Sequence, residues 1–415
     1  MNVAWPLFIL VALGTALYSG SLEALGPAML DSAAAAVKLA LGLIGPIALW
    51  LGLLQVIEDA GGIARLSRAL TPVFRRLFPQ IPADHPALGA MLLNLSANFF
   101  GLGNAATPFG LKAMEGLQRL NARKDTATNA MIVFLVLNSA GVTFMPLNTM
   151  VLRASAGSHS PGAIVLPTML ATLFSAIIAV TICRLVQRLP QLQASEPPAE
   201  IDTAVAALPV PPPLSPVRLW LGVGLLVVGV AWHIYRSHPS LSTLSDGLLP
   251  VLAGLMVIFG LAARVRVYES VVTGAKEGFQ VAVRIIPYLV LILVAVAMCR
   301  AAGVIDAMVG VVRHVTDPLG LPAEVLPQVL LRPLSGSGTL GLLADTFKTY
   351  GPDSFISYCA SVLYGSSETT FYILAVYFGA IGVRRTRYAV VVCLIADLTG
   401  VCLGTALAHV FYRPV

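Results

Sequence analysis

Between residues 92 and 107 the chain reads LLNLSANFFGLGNAAT, which crowds Asn94, Ser96, Asn98 and Asn104 around Gly101 and Gly103 in an otherwise apolar run. Amides and hydroxyls at this density are costly in hydrocarbon unless they meet partners, water or a ligand. Glycines suit a broken backbone better than a straight helix. Irregular backbone at membrane depth survives only inside protein or beside a wet cavity. The stretch is therefore expected to be the tip of a re-entrant hairpin that lines a site. A second stretch of the same kind, RPLSGSGT at 332–339, lies far along the chain.

The premise of a hydrocarbon surrounding comes from composition. The 415 residues are 57% hydrophobic and only 11% charged, whereas a soluble domain carries roughly a quarter charged residues. This is an integral membrane protein. The net charge is +6, but the basic residues gather on particular loops, which points to membrane topology and not to nucleic acid. The five cysteines fall in apolar segments without CxxC spacing, and the six histidines are scattered without HExxH. No metal, cofactor or disulfide framework is expected. The apolar opening at 3–18 lacks a basic leader and a small-residue cleavage site, so it reads as a retained first span.

Apolar runs near the 20 residues needed to cross a bilayer occur at 3–22, 34–57, 127–152, 162–186, 217–235, 248–263, 280–300, 354–378 and 388–411. Segments 61–78 and 303–316 alternate basic and apolar residues and are expected to lie along the headgroups. Segments 86–120 and 323–350, each interrupted by its polar tip, are expected to be hairpins that enter and leave by one face. Residues 190–216 are proline-rich without apolar periodicity, a flexible cytoplasmic linker. It divides the chain into halves at 1–189 and 217–415.

The halves repeat one another in order. Gly61-Gly62-Ile63 matches Gly303-Val304-Ile305, and Pro82-Ala83-Asp84 matches Pro322-Ala323-Glu324. Leu95-Ser96-Ala97-Asn98 matches Leu334-Ser335-Gly336-Ser337, and Asn138-Ser139 with Thr143-Phe144 matches Gly365-Ser366 with Thr370-Phe371. One helix precedes the unit in the first half and two precede it in the second, so the units enter from opposite faces. That is an inverted repeat, an arrangement of secondary transporters with midplane sites. The excess of arginine and lysine places the N-terminus and linker in the cytoplasm and the C-terminus on the periplasmic or extracellular side.

Four places could carry function. The first tip, with Asn94, Ser96, Asn98 and Asn104, offers oxygens for Na⁺ or a polar molecule, or else glue between helices. The second, with Arg332, Ser335, Ser337 and Thr339, offers hydroxyls and N–H groups to an anion, unless Arg332 only snorkels to the headgroups. Asn138, Ser139 and Thr143 sit mid-span before Pro146, which is expected to break the helix. Ser366, Ser367, Glu368 and Thr370 occupy the corresponding place. An ionisable residue inside a span is a functional candidate, so Glu368 could take a proton or bind substrate; the structural alternative is an ion pair with Arg332. Asp397 is a second proton site or a partner for a buried donor. Asp345 and Lys348 are expected to pair with each other or face solvent.

The run ADHPALGAMLLNLSANFFGLGNAATPFGLKAMEGLQ at 83–118, with LGLIGPIALWLGLLQVIEDAGG at 41–62, resembles spore maturation protein A. LPQVLLRPLSGSGTLGLL at 326–343 and YGSSETTFYILAVYFG at 364–379 resemble spore maturation protein B. Both belong to the nucleoside-recognition, or Gate, group, which is similar to the concentrative nucleoside transporters. The resemblance implies an all-α polytopic membrane protein, an inverted repeat with two re-entrant helical hairpins and two discontinuous transmembrane helices. The Asn-Glu-Phe signature of those transporters is absent from this chain.

Taken together, the expected activity is secondary transport of a small polar or anionic metabolite across the bacterial inner membrane. Na⁺ or H⁺ is the coupling ion such a site would take, with no catalysis by the protein. The expected partners are the lipid bilayer, a small-molecule substrate and no nucleic acid, with a homo-oligomer left open. The alternative is a membrane scaffold or gate subunit that serves envelope or spore maturation without moving cargo.

Overall fold

A computed structural model describes residues 4–82, 85–101, 103–187, 211–237 and 248–414. Apart from one isolated bridge between Thr126 and Arg385, the ordered elements of these residues are helical. Helix α1 (Ala4–Ser19) runs into α2 (Leu22–Asp59), and Gly61 turns the chain into α3 (Gly62–Leu77). A hairpin of α4 (Pro86–Phe99) and α5 (Gly103–Arg119) follows. Next come α6 (Asn129–Ala140), α7 (Leu147–Ser155) and α8 (Val165–Val186). The second half begins with α9 (Pro216–Ser237) and α10 (Leu248–Ala262). It then repeats the sequence of parts: α11 (Val267–Ala301), α12 (Val304–Thr316), a hairpin of α13 (Leu326–Leu331) and α14 (Gly336–Tyr350), α15 (Phe355–Gly365), α16 (Thr370–Ala380) and α17 (Ala389–Phe411).

Two helices are longer than the apolar runs suggested. The predicted spans 3–22 and 34–57 leave room for a loop, yet residues 22–59 form one 38-residue helix. Segment 23–33, EALGPAMLDSA, is rich in strong helix formers, and the helix runs through Pro27 although its ring removes one internal hydrogen bond. At about 1.5 Å per residue, α2 is roughly 57 Å long, nearly twice a bilayer's hydrocarbon thickness. Its counterpart α11 has 35 residues and absorbs the polar segment 267–279.

These two helices pack along each other. Gly52 lies against Val271, Gly274 against Leu51 and Gly278 against Ala48. Numbers rise on one helix as they fall on the other, so the pair is antiparallel. A Cβ on Gly274 would lie 2.4 Å from the Leu51 carbonyl oxygen. Only the absence of a side chain permits that approach, as between tightly packed membrane helices.

Helix α2, residues 161–186, residues 216–233 and α17 are each long and apolar enough to cross a bilayer. The second part of α11 bends by 74° into α12. Helices α1 and α10 are shorter, at 16 and 15 residues. Leu221, Leu225, Val228 and Trp232 of α9 stand exposed, the surface that hydrocarbon covers in a membrane protein. Helix α3 packs on α4, where the Ser67 and Ser96 hydroxyls meet at 3.0 Å.

Loops with basic residues that are distant in sequence gather together. The Ala127 N–H donates to the Arg385 carbonyl, the Arg384 N–H donates to the Asp125 carbonyl, and the Arg184 guanidinium donates to the Leu77 carbonyl. The multi-pass membrane character is thus built into one body whose halves touch along their length.

Candidate functional site

The chain breaks where its backbone rules say it must. Gly141 ends α6 with a φ of 58°, in the left-handed region, and Pro146 precedes α7. A Cβ on Gly141 would lie 2.8 Å from Glu368 Cγ, so both conformation and crowding select glycine there. In the second half α15 ends at Gly365 and α16 begins at Thr370. The two breaks are joined, because the Glu368 N–H donates to the Ser139 carbonyl at 3.1 Å.

Each break also holds the hairpin tip of its own half. The Phe144 N–H donates to the Phe99 carbonyl at 2.8 Å, and the Phe371 N–H donates to the Pro333 carbonyl at 3.0 Å. Four interrupted segments thus meet at one junction. Their free backbone groups, which a continuous helix would have paired internally, are available to one another and to a ligand.

The junction walls a cavity of about 430 Å³, within the size range of small-molecule sites. The first tip contributes Asn98 and Gly101, and the first break Asn138 and Thr143. The second tip contributes Arg332, Gly336 and Ser337, and the second break Glu368 and Thr369. Tyr364, Tyr372 and Tyr377 add aromatic surface. The long helices add Gln55, Glu58 and Glu277.

Asn98 donates its side-chain amide to Asn138 Oδ1 at 3.0 Å, and Asn138 donates in turn to the Phe134 carbonyl at 2.9 Å. Arg332 is buried, with its guanidinium 4.3 Å above the Tyr364 ring. Its Nε donates to the Ser367 carbonyl at 3.0 Å, joined by Nη2, and Nη2 lies 3.6 Å from Glu368 Oε2. The ion pair weighed as the structural role of Glu368 is therefore present. Glu368 still leaves 46% of its side chain exposed, so pairing with Arg332 does not close it to a ligand.

Other candidate residues serve the walls. Ser96 bonds Ser67, and Asn94 donates to the Ala106 carbonyl at 2.8 Å and to the Tyr377 hydroxyl at 3.2 Å. Ser335 caps α14 by accepting the Gly338 N–H at 3.0 Å, and the Thr339 hydroxyl returns to the Ser335 carbonyl. The Ser366 hydroxyl donates to the Leu363 carbonyl at 3.2 Å, and the Thr143 hydroxyl to the Gly141 carbonyl at 2.8 Å. Ser139, Thr370 and Asp397 form a buried triad: the two hydroxyls lie 2.6 Å apart, and Thr370 donates to Asp397 at 2.6 Å. Asp397 also borders a second cavity of about 140 Å³, with Gln328, Arg332 and Ser367. The side chain of Asn104 lies outside the described residues. Asp345 pairs with Arg300 at 2.6 Å, not with Lys348, because the end of α11 passes beside α14.

Gln55, Glu58 and Glu277 escaped the sequence reading. Their signal was an acid or amide on an apolar helix, but Glu58 and Glu277 sit near residues that read as helix ends and loops.

Residues 40–186 and 282–384 match the family profile described as Gate, nucleoside recognition. Spore maturation protein A of Bacillus subtilis (strain 168) is 41% identical over 184 residues, 44% of this chain and 94% of that protein. Spore maturation protein B of the same organism is 44% identical over 158 residues, 38% of this chain and 89% of that protein. Among solved structures, the crystal structure of the Alcanivorax borkumensis YdaH transporter overlays on 94% of this chain and 88% of its own, at 15% identity and a TM-score of 0.43. With the profile matched over more than half of its residues, the chain belongs to the Gate, or nucleoside recognition, family.

Proposed function

We propose that this protein is a secondary transporter of a small polar or anionic metabolite, nucleoside-like or carboxylate, across the bacterial inner membrane. The observation that carries the reading is that both hairpin tips and both helix breaks line one cavity. A structural scaffold has no need to bring four interrupted segments to a single hollow, whereas a carrier needs unpaired backbone around a midplane site. In this reading the halves 1–189 and 217–415 are inverted repeats that share the site, and the N-terminus and linker face the cytoplasm. One hairpin pair rocks against the peripheral helices to alternate access. Glu368 in the large cavity and Asp397 beside the small one are the groups for proton coupling, and the asparagines of the first half are the groups for Na⁺.

A thermal-shift screen of the purified protein tests this. Nucleosides, nucleobases, dicarboxylates and amino acids are added with and without Na⁺ at two pH values. At least one class should raise the melting temperature by several degrees, and Glu368→Gln should abolish that shift while leaving the unliganded melting temperature near that of the parent. A second reading, a non-transporting scaffold or gate subunit, is favoured by the relatives named for spore maturation. It expects no ligand-dependent shift in either protein.

A further inference from the structure

The charges on the large cavity are unevenly divided. Among the described residues its wall carries three carboxylates, Glu58, Glu277 and Glu368, and one guanidinium, Arg332. Arg332 and Glu368 pair with each other. Glu58 and Glu277, from the antiparallel helices α2 and α11, form no ion pair among the described residues and face the same hollow beside Gln55. Two uncompensated carboxylates make the wall repel a purely anionic cargo.

Another part of the lining has the other polarity. Gly336 and Ser337 open the 15-residue helix α14 at the cavity. Ser335 takes up the Gly338 N–H, and Gly336 and Ser337, at the positive end of the helix dipole, line the hollow. Arg332 stands beside them, with Nη1 turned toward Gly336.

Resting on the transporter reading above, we infer that the substrate carries both an ammonium and a carboxylate group. The carboxylate lies against Arg332 and the first turn of α14. The ammonium lies against Glu58 and Glu277, with the Gln55 carbonyl oxygen as a further acceptor. Such a molecule answers both sets of groups. A dicarboxylate meets one and is repelled by the other, and a neutral nucleoside leaves the carboxylates unanswered.

The test uses purified full-length protein, in detergent for thermal shift and in proteoliposomes for uptake. The probes are glycine, 4-aminobutyrate and 6-aminohexanoate as zwitterions of increasing length, with butyrate, butylamine, succinate, putrescine and uridine as the charge controls. One zwitterion length should stabilise the protein and be taken up, with single-charge analogues needing about tenfold more, one tenfold step being about 1.4 kcal/mol. Glu58→Gln and Glu277→Gln should each raise the half-saturating concentration of that zwitterion several-fold and lower that of butyrate, whose repulsion they relieve. Succinate, putrescine or uridine acting as strongly as the best zwitterion overturns this inference and leaves the transporter reading standing. So does a zwitterion response untouched in both glutamine variants. If no probe stabilises the protein and none is taken up, the inference and the reading beneath it fall together.

Discussion

At the scale of single residues, two arginines hold the molecule in different ways. Arg332 belongs to the cavity, stacked on Tyr364 and fastened to the Ser367 carbonyl. Arg153, on α7, is buried outside its lining and reaches into the second half, donating to the Pro352 carbonyl at 2.8 Å and to Asp353 at 2.9 Å. Burial by itself would raise the Asp353 carboxyl. Hydrogen bonds from Ser158 and His159, with the Arg153 guanidinium beside it, hold it below the usual carboxylate range. A carboxyl depressed in the folded state contributes its full stabilisation above the unfolded value, near pH 4, and loses it as pH falls through the folded one. Asp353→Asn is therefore expected to be about 2 kcal/mol less stable than the parent at pH 7, with the gap closing on acidification below about pH 4. Thermal unfolding of both proteins from pH 7 to pH 3 measures this, and a gap that persists at the acid end would mean that the carboxylate charge is not its source.

At the scale of elements, the decisive contact is the crossing of α2 and α11. The apolar runs announced both helices but not their length, because hydropathy marks where a helix can meet lipid, not where it stops. Polar segment 267–279 is helical because one side of it lies on α2, with Gly274 and Gly278 pressed to the backbone of Leu51 and Ala48. Gly274→Leu is expected to destabilise the protein by about 3 kcal/mol or to prevent its assembly, since neighbouring backbone cannot give way as a side chain can. Gly42, on α2, has open space around it, so Gly42→Ala should leave the melting temperature within a degree or two, the effect of a surface change of about 0.5 kcal/mol. The break after Gly141 was legible from Pro146, and the one at Ser366–Thr369 from its matching place in the repeat. The capping of α14 by Ser335 was not, for a serine before glycines reads equally well as a ligand.

At the scale of the whole molecule, the halves are interlocked and not merely adjoining. Helix α2 lies along α11, α8 packs on α17, and the Glu368 N–H closes on Ser139 between the two breaks. Arg153–Asp353 ties them at one place, and the Ala127 and Arg384 backbone bonds at another. Two chains made by dividing the protein within the proline-rich linker are therefore expected to assemble when coexpressed. A tag on one should recover the other in equal amount after detergent extraction, and recovery of the tagged half alone would show that the linker's covalent tether is required.

Local chemistry in the sequence determined much of this architecture: apolar runs that need lipid, glycines and prolines that interrupt them, and polar tips repeated in the same order. Each is a property of neighbouring residues, so a linear reading suffices. Tertiary structure alone decided which oxygens face the hollow and which close on their own walls. Ser96 and Asn98 are two residues apart, yet one meets Ser67 and the other lines the cavity. It also decided that Glu58 and Glu277, on different helices, line the same cavity. Their proximity follows from how two long helices cross, and a crossing is set by packing between residues remote in the chain.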